Sequence, residues 1–218
     1  MSKVNTEQVF EAAVAAFRIN GNKVLTKSSG SMIANKVLIE SELANPSIVT
    51  DQDRAAAKEL IQFFTYHRTM SSIVGKDSNE FTQLITTIIG VDRVPKRLIG
   101  LLQWAPRLGS DIHHAQEVRN QLAVLSYGSK FLGRPGDKVE IDYVVIHKRY
   151  NKPYQAWRYI GHDTHGNIVG FFNKLEITKP AFRIKGRIKQ TETSRFAENG
   201  KTTYLSHVKE VHDSSSNL

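Results

Sequence analysis

Between Phe182 and Lys189 apolar and basic residues alternate without a break. Phe182, Ile184, Gly186 and Ile188 take one parity, and Arg183, Lys185, Arg187 and Lys189 take the other. Successive side chains of a strand point to opposite faces, so this stretch suits a sheet that hides one side and shows water a row of cations. Four neighbouring stretches have the same character: 136–148 (GDKVEIDYVVIHK), 153–162 (PYQAWRYIGH), 167–174 (NIVGFFNK) and 201–209 (KTTYLSHVK). Each is rich in β-branched or aromatic residues and bounded by Gly, Pro, Asn or Asp. Five short strands in succession, one of them strongly cationic, predict a small barrel with an anionic partner.

The charge is distributed to match. The 218-residue chain has a net charge of +9. Residues 1–127 hold 14 Lys and Arg against 12 Asp and Glu, whereas residues 128–218 hold 16 against 9. The excess therefore lies with the strands, which locates the anion-facing surface in the second half.

The first half has helical periodicity. A helix is predicted over 5–20, with Thr6 as N-cap, Val9, Phe10, Ala13 and Phe17 on its apolar face, and Asn20-Gly21 as its stop. Residues 23–31 read as a loop, without the spacing of a nucleotide-binding glycine motif. A second helix is predicted over 32–43, before Asn45-Pro46. Thr50, followed by Asp51 and Asp53, caps a third that runs to Ile73 with Leu60, Ile61 and Phe64 inward. Phe81, Leu84, Ile85, Ile88 and Ile89 mark a fourth, and Val91–Trp104 follows with Pro95, Lys96 and Arg97. Ala105–Gly109 reads as a Pro/Gly turn, and Ser110-Asp111 opens a last helix to Leu125 with Ile112, Val118 and Leu122 inward. The fold class expected is α+β: an all-α helical bundle of five or six helices over 1–127, a five-stranded barrel over 128–210 and a disordered tail over 211–218. The boundary is placed at 126–134, where Gly128 and Gly133 permit a bend.

The order of strand features resembles a known family. A Gly136-Asp137 opening, an aromatic second strand, the Asp163-x-x-Gly166-Asn167 hairpin, an apolar third strand, the Phe182–Lys189 strand and a short closing strand resemble the OB-fold. The likeness is to the compact OB domains of phage and plasmid single-stranded DNA-binding and replication accessory proteins, and it covers about a third of the chain. Leu175–Pro180 has no room for the helix that many OB-folds place between strands three and four. The resemblance implies a ligand face on the second and third strands, flanked by the loops between strands one and two and between strands four and five.

Candidate binding residues fall at those places. In 147–154, predicted as the first of these loops, Lys148, Arg149 and Lys152 interleave with Tyr150 and Tyr154; Trp157 and Arg158 follow on the second strand. Arg195 and Phe196 repeat the pairing in the second loop, 191–200, with Lys201 behind them. Cations attract a phosphate backbone, and aromatic faces stack on unpaired bases for about 1–3 kcal/mol per base. Trp157 fits a packed core position as well as a stacking platform. Phe171 and Phe172 must point to opposite faces, and parity does not say which is outward.

The expected partner is single-stranded DNA, bound without strong sequence preference, with RNA as the alternative because nothing visibly reads a 2′-hydroxyl. A role in phage-type replication, recombination or repair follows from the resemblance. The alternative function is a protein–protein adaptor whose helical bundle docks on a polymerase, helicase or host factor. No enzyme is expected, since no Ser/His/Asp set or nucleotide loop is present, and no cofactor. His162, Asp163 and His165 in one hairpin are better explained by turn chemistry than by a metal. His113 and His114 are adjacent, hence not an i, i+4 chelating pair. The chain has no cysteine and no apolar run of about 20 residues, so a cytoplasmic protein with no membrane partner is expected.

Overall fold

The computed structural model describes residues 3–74, 80–193 and 200–211. The chain separates into two compact units, residues 1–113 and 114–218, and the division falls inside a helix. Among the described residues no helix is long and apolar enough to cross a membrane.

In the first unit, helix α1 (Thr6–Ile19) is the central element, with Val9, Phe10, Ala12, Ala13, Ala15 and Ala16 all buried. Its alanines let α2 (Asn35–Ala44) and α3 (Asp51–Val74) lie close against it. The helix is capped by Asn5, one residue earlier than expected: Asn5 Oδ1 accepts from the Gln8 amide over 3.0 Å. Thr6 instead turns its hydroxyl to the Val91 carbonyl. At the other end Asn22 N donates to Phe17 O and Gly21 N to Arg18 O, a Schellman ending with Gly21 at φ 63°.

Polar side chains pin the connections. Asn35, fully buried, accepts from the Leu25 amide and donates to the Lys23 carbonyl, so α2 starts three residues later than its apolar pattern suggests. The buried Glu42 carboxylate accepts from the amides of Ser47, Ile48 and Val49. Thr50 and Asp53 cap α3 reciprocally: Thr50 Oγ1 accepts from the Asp53 amide, and the Asp53 carboxylate accepts from the Thr50 amide. The same carboxylate takes two guanidinium bonds of 2.9 Å from Arg18.

The later part of the half is not all-α. β1 (Lys3–Asn5) pairs antiparallel with β2 (Arg93–Pro95), setting Val4 opposite Val94. α4 (Glu80–Ile89) precedes β2, and a 3-10 turn (Lys96–Leu98) and α5 (Ile99–Leu102) follow it. The expected turn at 105–109 is helical, because α6 spans Ala105–Ser126. Pro106 sits in its first turn, where a missing amide hydrogen costs nothing. A Cβ on Gly109 would lie 2.3 Å from Leu60 Cδ1, so that glycine admits α3 rather than breaking the helix.

The second unit contains the five predicted strands: β3 (Lys138–Asn151), β4 (Ala156–Asp163), β5 (Ile168–Asn173), β6 (Ala181–Thr193) and β7 (Lys201–Glu210). They close into a barrel in the order β3-β4-β5-β7-β6, with β5 and β7 parallel and all other pairs antiparallel. The arrangement is compatible with an OB-like fold. Tyr143, Tyr159, Phe171, Phe182, Ile184, Ile188 and Leu205 fill the interior. The rings of Tyr159 and Phe171 stack at 4.9 Å, and Tyr159 Oη accepts from the Ile177 amide over 2.6 Å. Residues 129–132, expected to be linker, lace onto the barrel: Ser129 Oγ accepts from the Ile168 amide and donates to the Lys201 carbonyl.

Strand β3 serves both β4 and β6 and bends to do so. Its register with β4 slips between Val145 and His147, the mark of a β-bulge. Across from the bend stands Gly161, where a Cβ would lie 2.0 Å from the Val144 carbonyl oxygen and 2.8 Å from the Tyr143 ring. Gly161→Ala should therefore cost about 3 kcal/mol through overpacking, read as a fall in thermal midpoint. In the first unit, burial disfavours the charged Asp53 carboxylate, but the bonds from Arg18 and Thr50 prevail and hold its pKa at about 2. Its contribution is full above the unfolded value near ~4 and is lost as pH falls through about 2. Asp53→Ala should lower stability at neutral pH by about 2–3 kcal/mol in denaturant melts, and the deficit should shrink in strong acid.

Candidate nucleic-acid interface

The segment 147–154 is mostly strand rather than loop. β3 runs on to Asn151, and a tight turn closes with Gln155 N donating to Lys152 O and Tyr154 N to Asn151 Oδ1. Gln155 takes φ 45° there. The candidates are therefore held on a two-stranded ribbon in a fixed register: Lys148 opposite Tyr159, Arg149 opposite Arg158, Tyr150 opposite Trp157.

Directly opposed residues share a face, so the ribbon divides the candidates into two sets. Lys148, Tyr150 and Trp157 take the parity of the barrel interior. Trp157 is half-buried against the core, and the Tyr150 ring meets it edge-on at 5.6 Å. Lys148 Nζ lies 5.7 Å from the Trp157 ring centre, and is also bound to Glu176 at 2.7 Å and to the Ile177 carbonyl at 3.0 Å. Lys148 thus holds the 176–177 segment and the indole together, and is less available to a ligand than its sequence context suggested. Tyr150, at 44% exposed, is the accessible ring of this set.

Arg149 and Arg158 take the outer face, where Arg158 is also opposite Phe172 of β5. The question of the paired phenylalanines is resolved here: Phe171 is buried in the barrel and Phe172 is 45% exposed. Tyr154, 73% exposed, rests its ring 5.5 Å from Phe172. Two guanidinium-bearing positions and two accessible rings thus share one surface, with Lys152 exposed on the adjoining turn. Phe172 is the functional candidate that sequence reasoning did not commit to. The apolar partner Phe171 beside it concealed its orientation.

Farther along the same outer face, the surface is covered. Val118, Leu122 and Leu125 of α6 pack on Ile146, Ile160 and Ile168. This explains why the outer side of β3 is apolar at mid-strand, where Ile146 lies. At the rim of the covered area His114 of α6 and His147 of β3 approach to 3.3 Å. Burial, then His114, Arg149 and Arg158, lower the pKa of His147.

Lys201 is exposed at the start of β7, its ammonium 5.4 Å from the Phe131 ring. Because β7 runs parallel to β5 with Thr202 beside Ile168, Lys201 lies at the opposite end of β5 from Phe172. It does not join the ribbon cluster. Arg195 and Phe196 lie outside the described residues, as does the tail beyond Val211. In the 162–167 hairpin, the Asp163 carboxylate accepts from the amides of His165 and Asn167 and from Asn167 Nδ2. Those bonds are the turn chemistry that the sequence suggested.

No protein-family profile matches the chain, and no similar curated protein or solved structure is found.

The position of His147 has a pH consequence. Its lowered pKa means that the unfolded state takes up the proton first as pH falls below about 6.5. The second unit should lose stability as pH falls through about 6.5 and below. In His147→Gln that part of the loss should vanish, as measured by thermal midpoints across the range.

Proposed function

We propose that residues 128–210 form an OB-type barrel that binds single-stranded nucleic acid, DNA by preference, with little regard for sequence. The strand order supports the OB reading: three strands in meander, with the fifth inserted between the third and fourth to close the barrel. The observation that carries the binding reading is the outer surface at the β3–β4 turn, where Arg149 and Arg158 flank the rings of Phe172 and Tyr154. Guanidinium groups neutralise phosphates while rings accept any base, so such a surface grips an unpaired strand without reading it. Tyr150 and Trp157, on the other side of the ribbon, offer a second ring to a strand that wraps its edge.

Helix α6 narrows this reading. In OB domains the ligand crosses the outer face of the second and third strands, and here part of that face lies under Val118, Leu122 and Leu125. The strand is accordingly assigned to the turn end of the face. Proteins that hold exposed single strands act in replication, recombination or repair, and that is the setting proposed.

A second reading, the protein-docking adaptor, draws on Met32, Ile33 and Val37, which are exposed around the start of α2 in the first unit. The two readings separate in one titration. With a short oligothymidylate, a strand-binding protein should show quenched tryptophan fluorescence, a mobility shift and an affinity that falls steeply with salt. Replacing Arg149 and Arg158 by Gln should make the plot of log affinity against log salt shallower by about 1.4. Phe172→Ala should weaken binding by about 1–3 kcal/mol. An adaptor would show neither quenching nor a shift.

A further inference from the structure

The outer face of β3, β6 and β7 handles charge in two contrasting ways. At one end the charges are matched: Arg183 donates to the Asp142 carboxylate over 2.8 Å. At the other end the register sets like against like. Lys138 stands opposite Arg187, and Lys185 stands between Lys209 of β7 and Glu140 of β3. Like charges directly across a ladder destabilise a sheet. None of these four cations has an ion-pair or hydrogen-bond partner through its side chain among the described residues.

These four side chains border a groove of about 650 Å³, with His207 on its rim and Glu140 as its one carboxylate. The backbone around it is irregular. The β6–β7 register slips between Lys185 and Arg187, and His207 adopts the left-handed φ of 54° that a non-glycine residue rarely takes. Bulges re-aim side chains, and this one turns cations toward a shared hollow rather than apart. No ring of Phe, Tyr or Trp lines the hollow. It lies eleven residues along β3 from Arg149, about 35 Å of strand contour.

The geometry points to a second polyanion track, in which a phosphodiester backbone seats in the Lys138–Arg187–Lys185–Lys209 groove and is held by charge without base stacking. The bound phosphates supply the countercharge that one carboxylate, Glu140, leaves incomplete against four cations. Only the choice of nucleic acid as the polyanion rests on the strand-binding reading; the mismatch of charges does not. With this track the barrel grips a backbone at a surface apart from the ring cluster, so one molecule holds two segments of strand at once.

The test uses the full chain with Lys138, Lys185, Arg187 and Lys209 all replaced by Gln, titrated with a short oligothymidylate at several salt concentrations. The plot of log affinity against log salt should become shallower by about 2–3, the share of four phosphate contacts on a single strand. The extent of tryptophan quenching at saturation should be unchanged, since the ring cluster is intact. The thermal midpoint should hold or rise because repulsion is relieved; if the fourfold variant fails to fold, Lys185→Gln with Lys209→Gln should give about half the change in slope. An unchanged slope in a folded variant overturns the second track and leaves ribbon binding standing. A shallower slope in the groove variant, alongside binding that survives Arg149→Gln with Arg158→Gln, supports the track even if the ribbon assignment fails. Failure of the wild type to bind the oligonucleotide overturns both. Loss of binding to anionic phospholipid vesicles with no change in the oligonucleotide slope assigns the groove to a membrane surface and overturns the inference.

Discussion

One extra residue in β3 decides how the second unit presents its chemistry. A strand that pairs with β4 along one part and β6 along another must bend, and the bulge at Val145 to His147 supplies the bend. Gly161 makes room for it, because no other residue could sit so near the Val144 carbonyl. The bulge also inverts parity. Before it Val139, Ile141, Tyr143 and Val145 face inward; after it Lys148 and Tyr150 do. Arg149 is thereby placed on the outside, beside Arg158 and, through it, Phe172. Without the inversion Arg149 would point toward the barrel end and its partnership with the exposed rings would not exist.

This is also where reading the sequence reaches its limit. Composition and bounding turn residues identified all five strands, and the strict alternation from Phe182 to Lys189 survives intact, with Phe182, Ile184 and Ile188 buried. Alternation cannot register a bulge, because the bulge is a break in the very period being counted. Residues 147–151 consequently looked like loop, and the candidates on them looked like one cluster rather than two faces. Helix α6 was misread for a related reason. Pro106 and Gly109 are breakers by composition, yet one occupies a first turn and the other makes way for Leu60. The pairing of β1 with β2 joins residues some ninety positions apart, and no local pattern announces it.

Buried acids show what the fold does with some of its 21 carboxylates. Asp53, Glu42 and Asp163 each accept backbone amides at a helix start or a turn, so they are committed to fixing the chain's path. Asp53 adds to its amide the guanidinium of Arg18, so that it ties α3 to α1 as well as capping its own helix. The cations are treated differently. Arg18 and Arg183 are paired within the fold, whereas Arg149 and Arg158 face each other across one ladder and Lys185 and Lys209 across another.

Such repulsive pairs carry the weight of a functional argument because folding gains nothing from them. A sheet selected for stability alone would alternate charge across its ladders, as it does between Asp142 and Arg183. Holding two guanidinium groups opposite one another at the ribbon, and two more like-charged pairs at the far end of β3, raises the local field where water can still reach it. Under the proposed function that field would draw a polyanion at a distance and be discharged on contact, when condensed counterions leave the nucleic acid. The exposed rings of Phe172 and Tyr154 then distinguish the two surfaces. Charge alone holds any phosphate backbone, duplex or single, but only an unpaired base has a free face to lay on a ring. Under the proposed function the ring-bearing surface is the one that would select for single strands, and the ringless groove would add grip without adding selection.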